Sequence, residues 1–168
     1  MIVGGDEGEV ISNKAEIEAL GLDSWRLHAI KTCVVHPLFD FDNDRDMIGI
    51  QFILAYVDFD ETEVVRLTPI GDMAGDCQEL TIVGEIDQIK ATYDRESQSV
   101  NSIKIIKDGK SKTYGNGGVL YNNWMFDDDK ILMGLHGKVV GRKIIELGTI
   151  SLFIDPTSLC SSDGYEGL

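Results

Sequence analysis

The sequence predicts an all-β protein, on three observations. Short apolar runs with an alternation of two recur along the chain, separated by turn residues. Glycine is plentiful at 18 residues and proline scarce at 3, a turn-rich composition. One segment alone carries helical spacing. The chain has 168 residues, which fits a single domain whose core needs no disulfide or metal to hold it.

The elements follow in order. Asn13-Lys-Ala-Glu16 has the spacing of a capping box, Ile17 and Leu20 share a face, and Gly21 can close the end. Residues 13–20 are therefore expected to form a short helix inserted before the β core. In the first long run Leu27, Ala29 and Lys31 alternate with His28, Ile30 and Thr32, and Cys33-Val34-Val35 completes it. Further strands are expected over residues 48–56, 63–67, 79–83, 86–93, 100–106, 112–114, 130–135 and 144–153. Lys107-Asp-Gly-Lys110 between two of them is a strong signal for a two-residue hairpin turn. Ile86-Asp-Gln-Ile89, Val100-Asn-Ser-Ile103, Ile145-Glu-Leu147 and Ile48-Gly-Ile50 repeat a similar pattern, as in a fold built from related sheets. No linker breaks the chain. Residues 1–155 are read as one domain and 156–168 as a C-terminal tail.

The net charge of −14 excludes a phosphate-neutralising nucleic-acid binder and disfavours an anionic membrane surface. The acidity is uneven: 21 of the 29 acids but only 7 of the 15 bases fall in residues 1–100. Such a half is a solvated face or a surface for cations or a basic partner. No apolar stretch approaches the ~20 residues of a membrane span, and Met1-Ile-Val-Gly-Gly-Asp-Glu7 lacks the basic region and apolar core of a secretory signal. Cys33, Cys77 and Cys160 are widely spaced with no CxxC pair. They are expected to be reduced thiols in a cytoplasm-like compartment, although one disulfide plus one free thiol also fits.

The chemical motifs point away from catalysis. Ile2-Val-Gly-Gly5 resembles the activated N-terminus of a trypsin-like protease, but no serine stands in a Gly-Asp-Ser-Gly context. His28, His36 and His136 are isolated in sequence from any plausible nucleophile. Asp40, Asp42 and Asp44 alternate as calcium ligands of an EF-hand do, yet Arg45 and Gln51 occupy the positions where that motif needs Gly and Glu. A solvated acidic loop is expected, with no metal, no cofactor and no enzymatic activity.

From Val100 the chain reads Val-Asn-Ser-Ile-Lys-Ile-Ile-Lys-Asp-Gly-Lys-Ser-Lys-Thr-Tyr-Gly115, then Lys130-Ile-Leu-Met-Gly-Leu-His-Gly137 and Ile144-Ile-Glu-Leu-Gly-Thr-Ile150. These stretches resemble the C-terminal half of the jacalin-related lectins, and Glu85-Ile-Asp-Gln-Ile-Lys-Ala-Thr-Tyr93 and Gly4-Gly5 fall in the family's order. The resemblance implies a β-prism I fold: three four-stranded Greek-key sheets about a pseudo-threefold axis. It implies binding of mannose- or galactose-type sugars without metal or catalysis. The implied site combines Gly4 and Gly5, the loop Asp94-Arg95-Glu96, and the segment Gly141, Arg142, Lys143, Ile145 and Glu146. Glycines let the backbone approach a sugar ring, and a carboxylate accepts its hydroxyl hydrogens. The family's closing Gly-x-x-x-Asp signature places its acid on Ile145 here, and the Gly137-Lys-Val-Val-Gly141 loop is one residue longer than usual. Adjacent Glu146 would face the opposite side of a regular strand and could substitute only through a bulge. Arg142-Lys143 suggests an acidic ligand instead. Two functions therefore stay open: a carbohydrate-binding module, and a subunit of an oligomer or larger complex that keeps the prism and binds protein.

Overall fold

A computed structural model of the protein describes residues 8–21, 24–35, 46–56, 63–82, 86–94, 98–115, 120–125, 130–153 and 159–161. Among these, the chain forms thirteen strands and one helix. They are β1 (Glu9–Ser12), α1 (Lys14–Leu20), β2 (Trp25–Val34), β3 (Met47–Tyr56), β4 (Val64–Arg66), β5 (Ile70–Gly71) and β6 (Asp76–Thr81). Then come β7 (Gln88–Asp94), β8 (Ser99–Lys107), β9 (Lys110–Gly115), β10 (Leu120–Met125), β11 (Lys130–Val140), β12 (Lys143–Phe153) and β13 (Leu159–Ser161). The all-β expectation and the single short helix are both met.

Hydrogen bonding joins the strands into an eight-stranded and a five-stranded sheet. In the larger one, β12 and β8 meet only at the pair Ile144↔Val100. That single pair is a corner, and it divides the sheet into β1-β11-β12-β13 on one side and β10-β7-β8-β9 on the other. In the smaller sheet β4 and β5 both pair with β3, so they act as one interrupted edge strand and the order is β6-β2-β3-β4/β5. Two of these sheets have the spatial order fourth-first-second-third, which defines a Greek key. The remaining sheet has the same order with the N-terminal β1 standing in the fourth place. Three related Greek keys make the β-prism. The repeated sequence pattern noted above falls on β3, β8 and β12 and runs into the start of β7, central strands of the three keys.

The inner faces enclose one core in which Ile50, Phe52, Leu54, Ile89, Ile103 and Ile150 are fully buried. Burial of each such side chain contributes about 1.5–3 kcal/mol. In β2 the simple alternation is interrupted: Leu27 pairs with Leu54 and Ala29 with Ile53, leaving His28 as a bulge. The bulge puts Leu27 and Ile30 on the same inner side, which strict alternation would not allow.

The helix is held differently from the capping-box expectation. Asn13 makes no side-chain cap. Its amide is fully buried and bridges elements: Oδ1 accepts from the Leu135 N–H at 3.0 Å, and Nδ2 donates to the Thr68 carbonyl at 2.9 Å and to Glu16 at 3.1 Å. Glu16 in turn accepts from the Thr68 N–H and hydroxyl. Long-range pinning thus replaces local capping, because a buried amide needs every partner it can find. Gly21 closes the helix at φ +90°, as expected.

The expectation of reduced cysteines is corrected by β2 and β6. Cys33 and Cys77 lie opposite each other, with Cα atoms 4.0 Å apart, and form a disulfide. The two residues are 44 apart in sequence, so only the register of the strands reveals the pairing. Residues 159–161, within the stretch read as a tail, pair with β12 as β13.

Candidate functional site

The strands that meet at the corner between the β10-β7-β8-β9 and β1-β11-β12-β13 keys carry several of the sequence-predicted site residues. One row of paired residues crosses it: Leu120, Tyr93, Val100, Ile144, Val139 and Glu9. Asp94 is the next residue after Tyr93 and ends β7 opposite Ser99. Ile145 and Glu146 follow Ile144. β1 contributes the edge, with Val10 opposite Lys138. The mouth of the β7–β8 hairpin is tied by the Thr92 hydroxyl, which donates to Asn101 Oδ1 at 2.9 Å and bonds to the Ser102 hydroxyl.

Gly141 and Arg142 form a two-residue turn closed by the pair Val140↔Lys143. Gly137 to Val140 is strand, so the loop between β11 and β12 is only two residues long. Gly141 sits at φ +60° with nothing within 4 Å of where a Cβ would lie, so the backbone of the turn is open to solvent. Its positive φ in the first central position is what a type II′ hairpin turn demands. Arg142 is exposed but already engaged. Its Nε donates to Asp72 Oδ2 at 2.8 Å, across to the β5–β6 connection. The Asp72 carboxyl is held below its ordinary value chiefly by the Ala74 N–H, which donates to Oδ1 at 2.8 Å, and then by Arg142; desolvation opposes them. Lys138 and Lys143 each already engage a neighbour. The bases of this corner are thus committed within the molecule, which weakens the expectation of an acidic ligand.

The bulge that Glu146 would need is present. Lys138 pairs with Glu146 and Val139 with Ile144, so Ile145 is an extra residue in β12. The extra residue returns Ile144 to the core, where it is fully buried, and leaves Ile145 half-buried. Glu146 is exposed and stands in line with Lys138 and Val10 on the outer face. The strands meeting at the corner thus carry an open two-residue backbone turn and an exposed Glu146 on the β11–β12 hairpin and, two strands away, Asp94 at the end of β7. Such groups can accept and donate hydrogen bonds to a polyhydroxylated ligand.

Gly4, Gly5, Arg95 and Glu96 lie outside the described residues, as do Asp40, Asp42 and Asp44. Among the described residues no group of three or more His, Cys, Asp or Glu side chains is placed to hold a metal ion. No described helix is long and apolar enough to cross a membrane. Sequence reasoning missed Asp72, whose link to Arg142 spans 70 residues and has no local signal. It also missed Val10 and Lys138, because the short, polar β1 shows no strand pattern of its own.

No family model matches the sequence, and no curated protein matches it. Solved structures do. The chain is similar to a prostate-specific WGA16 glycoprotein lectin, with TM-score 0.61, 17% identity, and 91% of this chain and 96% of that one covered. It is also similar to the agglutinin of Calystegia sepium, with TM-score 0.51, 12% identity, and 76% and 83% of the two chains covered. At these identities the likeness is one of fold.

Proposed function

We propose that the protein is a non-enzymatic carbohydrate-binding module of jacalin type, taking a mannose- or galactose-type sugar at the corner of Asp94 and residues 141–146. The reading extends the site to Gly4, Gly5, Arg95 and Glu96. The observation that carries it is the bulge at Ile145. Where the family signature would have an acid, this chain has isoleucine, and the extra residue sets an exposed Glu146 beside it. The lectin names of both structural neighbours support the reading. A glycan array followed by titration of the best hit tests it. Binding that falls at least tenfold in both Asp94→Asn and Glu146→Gln is expected, since each loses a charge-assisted acceptor worth about 1.5–3 kcal/mol. An array without hits would remove the proposal.

A second reading, a protein-binding subunit that keeps the prism, is favoured by the edge beside the same corner. Val10 and Val140 are 76% and 40% exposed, among the few large apolar side chains of the described residues left in solvent. Sedimentation of the purified chain as a monomer, with Val10→Ser leaving every interaction intact, would argue against it.

A further inference from the structure

The Asp72–Arg142 pair links two parts of the molecule that are built very differently, and the part on the Asp72 side is tightly wedged. The Asp72 N–H donates to the Ile48 carbonyl at 2.8 Å. A Cβ added to Gly71 would lie 2.2 Å from that same carbonyl oxygen, and one on Gly75 would lie 2.1 Å from the Val34 carbonyl oxygen. A Cβ on Gly49 would lie 2.3 Å from the carbonyl oxygen of Asp72 itself. At all three glycines the backbones approach so closely that no side chain could be accommodated. Immediately beyond it, Cys77 is cross-linked to Cys33 of β2.

We infer that residues 71–77 form a rigid mount, and that Asp72 is a positioning residue which fixes the Gly141–Arg142 turn to it. Asp72 uses one carboxylate oxygen on its own loop, at Ala74, and the other on Arg142, so the carboxylate is ordered before Arg142 arrives. The turn has no comparable packing of its own, since Gly141 is open on the side where a Cβ would stand. A ligand that meets an already ordered turn loses less freedom on binding, and its apparent affinity rises accordingly. The pair is partly exposed, with side chains 27% and 59% accessible, so its effect is modest. An exposed ion pair of this kind changes an equilibrium about two- to fivefold. The effect on affinity rests on the carbohydrate reading above; the effect on the turn does not.

The experiment uses the full chain labelled with nitrogen-15. Heteronuclear NOEs at Gly141 and at the Arg142 side-chain Nε report the order of the turn, and those at Asp108 and Gly109 serve as an internal control. Asp72→Asn keeps the shape and an acceptor for Ala74 but removes the charge. It is expected to lower the NOE at Gly141 and Arg142, to leave the control turn unchanged, and to weaken the best sugar about two- to fivefold. The melting temperature should hardly move, which separates positioning from simple loss of structure. Arg142→Gln, which removes the charge at the other end of the pair, is expected to lower the NOE at Gly141 similarly and to add little to Asp72→Asn in the double variant. An unchanged NOE in Asp72→Asn, or fully additive losses in the double variant, overturns the proposal. If the wild-type chain binds no sugar, the carbohydrate reading fails while the NOEs still decide the role of Asp72.

Discussion

Two hairpin turns of this protein have the same length and opposite circumstances. Asp108-Gly109 joins β8 to β9, with both residues at positive φ, 51° and 75°. Its anchor is nearby: the Asp108 N–H donates to Asp87 at 2.7 Å, and Asp87 just precedes β7 of the same Greek key. Gly141-Arg142 joins β11 to β12, and its anchor, Asp72, belongs to a different key. One turn is a self-contained closure of its sheet. The other is held from outside, on the hairpin that carries Glu146 of the candidate site. Turn type follows local chemistry in both, but only the second turn couples two sheets, and a coupled turn is suited to presenting groups to a ligand.

The comparison can be tested by substitution, first at the mount. Gly71→Ala forces a Cβ against backbone at φ +97°, combining overpacking with left-handed strain. A loss of about 4 kcal/mol is expected in denaturant unfolding. A cost below about 1 kcal/mol would mean that residues 71–77 can yield. Replacing both Cys33 and Cys77 by alanine should cost about 3 kcal/mol, read as a lower urea midpoint, because the disulfide closes a long loop of the unfolded chain.

Smaller effects separate the turns themselves. Gly109→Ala and Gly141→Ala each place a side chain at positive φ in otherwise open space, so each should cost about 1–2 kcal/mol of stability. Sugar affinity should fall only in Gly141→Ala. Equal effects of the two on affinity would erase the distinction drawn between them. The smallest effect is that of pH. The depressed folded-state value of Asp72 means that the unfolded chain binds its proton more readily. Its contribution is therefore present above the ordinary carboxylate value and is lost as pH falls through the lower folded one. As pH falls below the ordinary carboxylate value of about 4, the wild type should lose slightly more stability than Asp72→Asn, a small difference because solvent screens the pair.

The same contrast explains what could be read from the sequence. Asp108-Gly109 was legible because both residues that tolerate positive φ stand together between alternating strands. The central strands were legible because their inner positions carry Ile, Leu and Phe. β1, β5, β10 and β13 were not, since short edge strands owe their form to the neighbour they pair with. The Cys33–Cys77 disulfide and the Asp72–Arg142 pair were hidden for the same reason, as both depend on residues brought together by register alone. At the candidate site the missing acid at Ile145 was visible, and so was the condition under which Glu146 could replace it. The bulge itself was not, because one extra residue in a strand of isoleucines leaves no mark in the pattern.

The most direct test of the account is a nitrogen-15 shift map of the full chain titrated with mannose and with galactose. Saturable shifts are expected for one of them at Asp94, Gly141, Arg142 and Glu146, with Asp108 and Gly109 unmoved. No shift at those four residues at millimolar sugar, or shifts centred on the sheet of β2, β3 and β6, would contradict it.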